Sequence, residues 1–480
     1  MGPDTENPIE HAMGIGDMNG DGYDDIAILF RNYCNVYLGG DPFDLIPDFR
    51  FEGRYFYVPG DVNGDQYADL IIYYIKSAPN FFYSTINLYF GGATIDTIPD
   101  FIYNVDPNEG FYEFVDRIGD INKDGYDDFV LSGGYYLTDI GFTYLFLGGE
   151  SINNKPDIIF RSPPKDEWYG RAVSGIGDIN RDGYDDFVIS SISHDSTRFN
   201  CVYLFYGASI LDTTIDRILI SVKDDHDYGH KINNAGDING DNNSDFIISS
   251  GDYINIYVDL DSVIVIDAFK FGFGGYVSSA GGGDINNDGF NDFIIGNTNY
   301  INIKHEMVGA AFLFYGNPEI NTIPDFTLEG QTLGTGFAKD ISVVGDLNND
   351  GYDDVIIIAP SFPDVDKSFG KLYLYSYKNF IINNLKTATD FFADDYCLMQ
   401  NYPNPFNPVT MISYQLPKTS HVELSVYNLL GEKVIALVSE KQQPGQHQVK
   451  WDATGFPSGI YYYSLTAGEF RQVKKMVLVR

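Results

Sequence analysis

GDMNGDGYDD, residues 16–25, returns six more times along the chain, as GDVNGDQYAD (60–69), GDINKDGYDD (119–128), GDINRDGYDD (177–186), GDINGDNNSD (236–245), GDINNDGFND (283–292) and GDLNNDGYDD (345–354). Their first Asp residues are spaced by 44, 59, 58, 59, 47 and 62 residues, a period that suits a four-stranded blade better than a helical repeat. A short apolar run rich in β-branched and aromatic residues follows each phrase, such as IAILF from Ile26, FVIS from Phe187 or VIIIA from Val355, and reads as a buried strand. A second, alternating strand often ends in glycine (NVYLGG from Asn35, NLYFGG from Asn87, YLFLGG from Tyr144). A third opens with Pro-Asp (PDFRFEG from Pro47, PDFIY from Pro99, PDIIF from Pro156, PDFTLEG from Pro324), and a Gly-rich strand such as YGRAVSGIG from Tyr169 precedes the loop.

One such sheet cannot bury both of its faces, so seven must stack around an axis and the ring must close. The expectation is an all-β protein with a seven-bladed β-propeller over residues 1–384. Pro3-Asp4 stands as far before its loop as Pro47-Asp48 does before the next, so residues 3–9 are expected to supply the outer strand of the seventh blade.

Within each phrase Asp, Asn and Asp occupy loop positions one, three and five, and Asp recurs at nine. Alternate residues of a tight loop converge their oxygens, which suits a hard cation wanting six to eight of them, with the carbonyl of position seven as a further ligand. The expected ligands are Asp17, Asn19, Asp21, Tyr23, Asp25; Asp61, Asn63, Asp65, Tyr67, Asp69; Asp120, Asn122, Asp124, Tyr126, Asp128; Asp178, Asn180, Asp182, Tyr184, Asp186; Asp237, Asn239, Asp241, Asn243, Asp245; Asp284, Asn286, Asp288, Phe290, Asp292; and Asp346, Asn348, Asp350, Tyr352, Asp354. Tyr, Phe and Asn at position seven enter by backbone oxygen alone. Position twelve is apolar, as at Ile28 and Ile189, so Asp at nine must close the shell in place of an EF-hand glutamate. Up to seven Ca2+ ions are expected. Gln66 and Asn242 replace the glycine at position six, and Gln tolerates positive φ less well than Asn, so the second site is expected to be the weakest. Asp24, Asp127, Asp185 and Asp353, at position eight, read as solvated or capping.

The net charge is −38, but its distribution is uneven: residues 1–398 hold 22 Lys+Arg against 63 Asp+Glu, and residues 399–480 hold 8 against 5. This charge argues against nucleic acid and anionic lipid as partners. Cys34, Cys201 and Cys397 are too few and too far apart for a disulfide framework, and no apolar run is long enough to span a membrane.

These loops resemble the FG-GAP (VCBS-like) repeats of the integrin α-chain propeller and its bacterial relatives, with Tyr169-Gly170, Tyr228-Gly229 and Gly336-Phe337 in the first half of the motif and Ile358-Ala359-Pro360 in the second. The resemblance implies that metals stiffen one face while partners bind the other. Residues 399–480, from Tyr402-Pro403-Asn404-Pro405-Phe406-Asn407-Pro408 through VELSVYNLLGEKV (from Val422) and GQHQVKWDATGFPSGIYYYSL (from Gly445) to KKMVLVR, resemble the type A C-terminal sorting domain of the type IX secretion system. Alternating strands and turn signals in that stretch predict a small immunoglobulin-like β-sandwich, with residues 385–398 as linker. The resemblance implies a secreted or outer-membrane-surface protein that engages secretion machinery through residues 399–480. The opening residues, MGPDTENPIE, lack the pattern of a signal peptide, so the expectation is a truncated start.

Two functions compete on this reading, beside a third in which the propeller is only a rigid stalk or array element. One is a monomeric calcium-binding adhesion or glycan/protein-binding module. The other is a propeller-type polysaccharide lyase or hydrolase, for which Asp225, His226, Asp227 and His230 form the nearest catalytic-looking cluster, although the two histidines share no helix face. No catalytic residue is assigned. Trp168, Tyr112 and Phe273 are candidates for stacking on sugars, against core or rim packing.

Overall fold

The computed structural model describes residues 9–480 apart from 42, 44–45, 79–80, 106–110, 136–139, 164–168, 192–199, 222–226, 251–252, 269–276, 331, 362–369, 377–382, 386–396, 399–400, 402–405, 417, 430, 444, 469 and 480. Among these residues there is no α-helix. Two compact units are present, one spanning Glu6–Leu385 and the other containing Lys386–Arg480.

The first unit holds seven four-stranded antiparallel sheets, over residues 9–52, 55–104, 111–161, 169–220, 231–267, 277–329 and 340–385, each with its strands in chain order. The first sheet shows the pattern: Ile9–Gly16, then the acidic loop, Asp25–Phe30, Tyr33–Tyr37 and Phe49–Glu52. The Gly-rich segment comes first, the apolar run second, and the Pro-Asp segment last. All six residues of Asp25–Phe30 are buried, and so are all six of Asp186–Ser191.

That continuous burial has a cause in the packing. Leu70 and Ile72 of the second sheet join a core with Leu29, Val36 and Phe51 of the first, whereas Ile71 and Tyr73 join one with Phe129 and Leu131 of the third. Side chains alternate across a strand, so a run apolar at every position is what a sheet covered on both faces requires. The same sharing links the third sheet to the fourth, the fourth to the fifth, the fifth to the sixth and the sixth to the seventh. Ile356, Ile358 and Leu372 of the seventh then pack with Ile26, Ile28 and Phe30 of the first. The series is closed.

One expectation is corrected here. The outer strand of the seventh sheet is Asn383–Leu385, paired with Lys371–Tyr375, and Ile9 instead begins the first strand of the first sheet, opposite Phe30. Residues 3–8 lie outside the described residues. The seventh sheet is completed by its own chain, so the ring closes through side-chain packing and needs no borrowed strand.

The Pro-Asp signature has a local function that its turn chemistry alone did not show. Asp48 Oδ2 accepts the Leu38 N–H at 2.9 Å while the Asp48 N–H donates to the Val36 carbonyl, locking the outer strand to the one before it. Asp100, Asp157 and Asp325 repeat this with Phe90, Leu147 and Tyr315, and Asp216, which has no preceding proline, does so with Tyr206. Tyr169-Gly170 is held by a close approach: Gly170 has φ +83°, and a Cβ there would lie 2.0 Å from Ser132 Oγ, which itself donates to the Gly170 carbonyl.

The second unit consists of a three-stranded sheet (Cys397–Leu398, Val409–Leu416, Gly445–Asp452) and a four-stranded one (Lys433–Gln442, Ser420–Tyr427, Gly459–Ala467, Phe470–Leu478). Both face a single core. Ile412, Tyr414 and Trp451 of one sheet meet Val422, Leu424, Tyr463 and Met476 of the other. Phe406, from the Pro-rich opening, packs on Trp451 at 5.3 Å between ring centroids and pairs with the last strand through Val477 and Val479. Strand Cys397–Leu398 shows that ordered pairing begins before residue 399.

Replacing Gly170 with alanine is expected to destabilise the first unit by about 2 kcal/mol or more, because it combines left-handed strain with a clash on a buried hydroxyl. In thermal unfolding, the additional change Ser132→Gly removes that hydroxyl and should restore part of the loss. A loss that stays the same in the double variant would contradict the clash.

Candidate metal centre

Each acidic loop joins the first strand of a sheet to the second, so all seven lie at the same end of their strands. Asp at position one organises the turn. Asp17 Oδ1 accepts the N–H groups of Gly20 and Asp21, and its Oδ2 accepts that of Gly22 at 2.9 Å. Asn19 Oδ1 accepts the Asp21 N–H, Asn19 Nδ2 donates to Asp21 Oδ2, and Asp21 Oδ1 accepts the Tyr23 N–H. Positions one, three and five are thereby drawn together, and the arrangement recurs around Asp61, and, without the position-four bond, around Asp120, Asp178 and Asp284, and, without the Asn Nδ2 donation, around Asp237. Around Asp346 it recurs without the contact through Asn348.

Two residues per loop, at positions four and six, adopt positive φ. At position six Gln66 has φ 73° and Asn242 φ 61°, beside glycines such as Gly22 at 87°. Position four is left-handed as well, including at Lys123 (60°) and Arg181 (63°), where a β-carbon makes the conformation unfavourable. Where position four is glycine, the aromatic at position seven of the next loop lies against it: a Cβ on Gly20, Gly64 or Gly240 would meet Tyr67, Tyr126 or Phe290.

Asp at position nine is buried in all seven loops. Asp25 Oδ2 accepts the Met18 N–H at 2.8 Å and its Oδ1 that of Gly39 at 2.7 Å, and Asp69, Asp128, Asp186 and Asp292 do likewise. The glycine that follows the third strand has a steric cause as well. A Cβ on Gly39 would come within 2.3 Å of the Asp24 carbonyl, and one on Gly207 within 2.2 Å of that of Asp185. Burial pushes Asp25, Asp186, Asp292 and Asp354 up to about 7, and Asp69, Asp128 and Asp245 up to about 8. Hydrogen bonds donated to these carboxyls oppose the rise, and the aspartates at positions one and five add to it.

Position eight, read from sequence as solvated or capping, caps across sheets. The Asp127 N–H donates to the Asp61 carbonyl and Asp127 Oδ2 accepts the Asp61 N–H at 2.8 Å, a reciprocal pair between the second and third loops. Asp185 does the same to Asp120, Asn291 to Asp237, and Asp353 to Asp284. Asp24 does so to Asp346, linking the first loop to the last. Ala68 keeps only the backbone half, to Asp17. Between the fourth and fifth loops Arg181 instead reaches Asp241 at 3.0 Å.

Do these residues suit calcium? Among the described residues no three carboxylate, histidine or cysteine side chains converge tightly enough to hold a metal by themselves. The loops close on their own amides. Two observations nonetheless fit a hard cation. Every donor at the expected positions is an oxygen, and Asp245 Oδ1 and Asn348 Oδ1, both at those positions, are buried and accept no hydrogen bond from any described residue. Buried oxygens left without donors are what an oxygen-seeking ion would satisfy.

The other candidate residues are scattered. Asp225, His226, Trp168 and Phe273 lie outside the described residues, and Tyr112 lies in strand Phe111–Gly119, where its side chain is not described. His230 follows a turn closed by its N–H on the Asp227 carbonyl, and its Nε2 lies 3.4 Å from Arg171 Nη2. Burial, with Arg171 beside it, holds its imidazole below the usual range. Cys34 and Cys201 are in no disulfide.

Comparison with known families fits this geometry. Residues 276–312 and 340–375 match the FG-GAP repeat, and residues 400–479 match the secretion system C-terminal sorting domain. Human integrin alpha-6 is 29% identical over 154 residues, 31% of this chain and 13% of its own length. Human integrin alpha-8 is 24% identical over 207 residues, 40% of this chain and 19% of its own. The chain thus spans less than a fifth of the length of these curated relatives. A structure of PorZ, described as a surface component of the type-IX secretion system of Porphyromonas gingivalis, covers 99% of this chain and 59% of its own at 13% identity and a TM-score of 0.28, too loose a likeness to bear on fold or function. The chain therefore carries FG-GAP repeats and ends in a sorting domain, which marks it for export to the cell surface or medium. No helix among the described residues is long and apolar enough to cross a membrane.

Gln66→Gly is expected to stabilise the first unit by about 0.5–1 kcal/mol through relief of left-handed strain. Chemical denaturation of the full chain measures it, and a destabilised variant would contradict the strain assignment.

Proposed function

We propose that the seven sheets form a seven-bladed β-propeller, residues 1–384, whose loops bind up to seven Ca2+ ions and whose opposite face takes a surface glycan or protein ligand. Leu385 and Cys397–Leu398 pair as strand residues, so the linker narrows to the residues between them, and the second unit is an immunoglobulin-like sandwich that hands the chain to the type IX secretion machinery. The exported monomer acts as an adhesion or binding module.

The observation that carries the calcium reading is the sevenfold loop itself. Three carboxylates at each of seven loops place 21 acidic groups on one face, and seven divalent ions would bring 14 positive charges to them. Burial first, and the aspartates at positions one and five after it, make the aspartates at position nine resist ionisation, and an ion beside them would favour the charged form. A rigid loop face leaves the other end of the ring to recognition, the division of labour that the FG-GAP resemblance implies.

Calcium is expected to raise the melting temperature of the first unit in proportion to the logarithm of its free concentration, since it binds the folded state alone. Saturating chelator lowers it again, and an unchanged transition would reduce the loops to ordinary turns. Deleting residues 399–480 is expected to leave the protein within the cell envelope, measured by fractionation. Normal export of the shortened chain would refute the tag.

A further inference from the structure

Position four of several acidic loops faces the next loop. Where it is Gly20, Gly64 or Gly240, the aromatic at position seven of the following loop lies against it. In the third and fourth loops it is a cation, and the two cations differ in what they meet. Lys123 Nζ faces the Tyr184 ring at 5.6 Å from the centroid, whereas Arg181 Nη2 donates to Asp241 Oδ2 at 3.0 Å. Asp241 is position five of the fifth loop and one of its expected calcium ligands.

Two oxygens set the fifth loop apart from the first four and the sixth. In those loops Nδ2 of Asn19, Asn63, Asn122, Asn180 or Asn286 donates to the position-five Oδ2, but among the described residues Asn239 makes no such bond, and Arg181 takes that oxygen instead. The other oxygen is Asp245 Oδ1. Asp245 is fully buried, and its Oδ2 accepts the Ile238 N–H at 2.9 Å while its Oδ1 accepts no hydrogen bond from any described residue. In the first sheet Gly39 donates to the equivalent oxygen; by strand register Asp259 stands in its place and gives none. One ligand of the fifth loop is thus engaged by a cation, and another is left open.

We propose that Arg181 is a tethered counter-ion that competes with calcium for Asp241, so that its guanidinium joins the fourth and fifth loops at low calcium and gives up the carboxylate at high calcium. The inference rests on the calcium reading of the loops and assigns to Arg181 the control of one site. A guanidinium held on a carboxylate oxygen must move before that oxygen joins the shell of another cation, and its charge repels a second cation at close range. The competition is reversible because the pair is exposed: Arg181 and Asp241 keep 61% and 40% of their side-chain surface in water, where ion pairs are weak. Asp245 Oδ1, buried and without a donor, gains most from a cation and favours calcium once calcium is abundant. The tie matters at this junction because the reciprocal position-eight pair is missing there: among the described residues Ser244 and Asp178 form none.

The test is calorimetric titration of chelator-stripped full chain with calcium, comparing wild type with Arg181→Gln. The substitution is expected to leave the number of bound ions unchanged and to move half-saturation of one ion per chain to roughly three- to tenfold lower calcium. Arg217→Gln removes an equal charge from an exposed pair with Asp261, which is no loop ligand, and should shift no site by more than about twofold. On an Asp241→Asn background, where the charged pair cannot form, Arg181→Gln should tighten nothing. Arg181→Lys, which shortens the reach and keeps the charge, should give a smaller gain in the same direction, and decides the point if the Gln variant fails to fold. Identical isotherms for wild type and the position-181 variants, or an equal gain from Arg217→Gln, overturn the competition and leave the calcium reading standing. Uptake near zero in every variant overturns both.

Discussion

Carboxylates crowded onto one face of the ring repel one another, and the rest of the first unit is arranged around holding them there. Each loop does so by turning its own backbone amides inward. Asp17 alone accepts three N–H groups, and the buried Asp25 accepts two more, one of them from the glycine that follows the third strand of the same sheet. Amide dipoles can soften repulsion but do not neutralise it. Burial is the first cause of the high ionisation range of the position-nine aspartates, and the repulsion that remains adds to it.

The same loops also tie the sheets to one another. Reciprocal bonds from position eight to position one of the neighbouring loop run through five junctions, including the one from Asp24 to Asp346 that joins the beginning of the unit to its end. Beneath them, seven apolar cores lie between successive sheets, the last shared by the seventh and the first. Electrostatic cost and ring closure are therefore coupled. Any charge change in one loop acts on the amide network of the next.

Much of this was legible in the sequence because the signals repeat. Every quoted apolar run, Gly-ended run and Pro-Asp segment falls on a strand, since each rests on side-chain alternation or a fixed turn. What escaped were interactions between repeats. Asp127 looks solvent-facing when its own loop is read alone, and its partner Asp61 lies 66 residues away. The left-handed Lys123 and Arg181 escaped as well, because neither residue type announces positive φ. The outer strand of the seventh sheet was misassigned to residues 3–9 by matching a Pro-Asp offset, whereas Asn383–Leu385 carries no such signature. For the candidate site, the residues at positions one, three and five could be named from spacing. The engagement of position nine by two backbone donors could not, since one donor sits at the far end of another strand.

Counting ions tests the central claim most directly. Chelator-stripped full chain, titrated with calcium in a calorimeter, should take up close to seven ions per chain, one for each Asp-Asn-Asp loop. Uptake near zero would mean that the amides alone hold these carboxylates in place, and would contradict the calcium propeller.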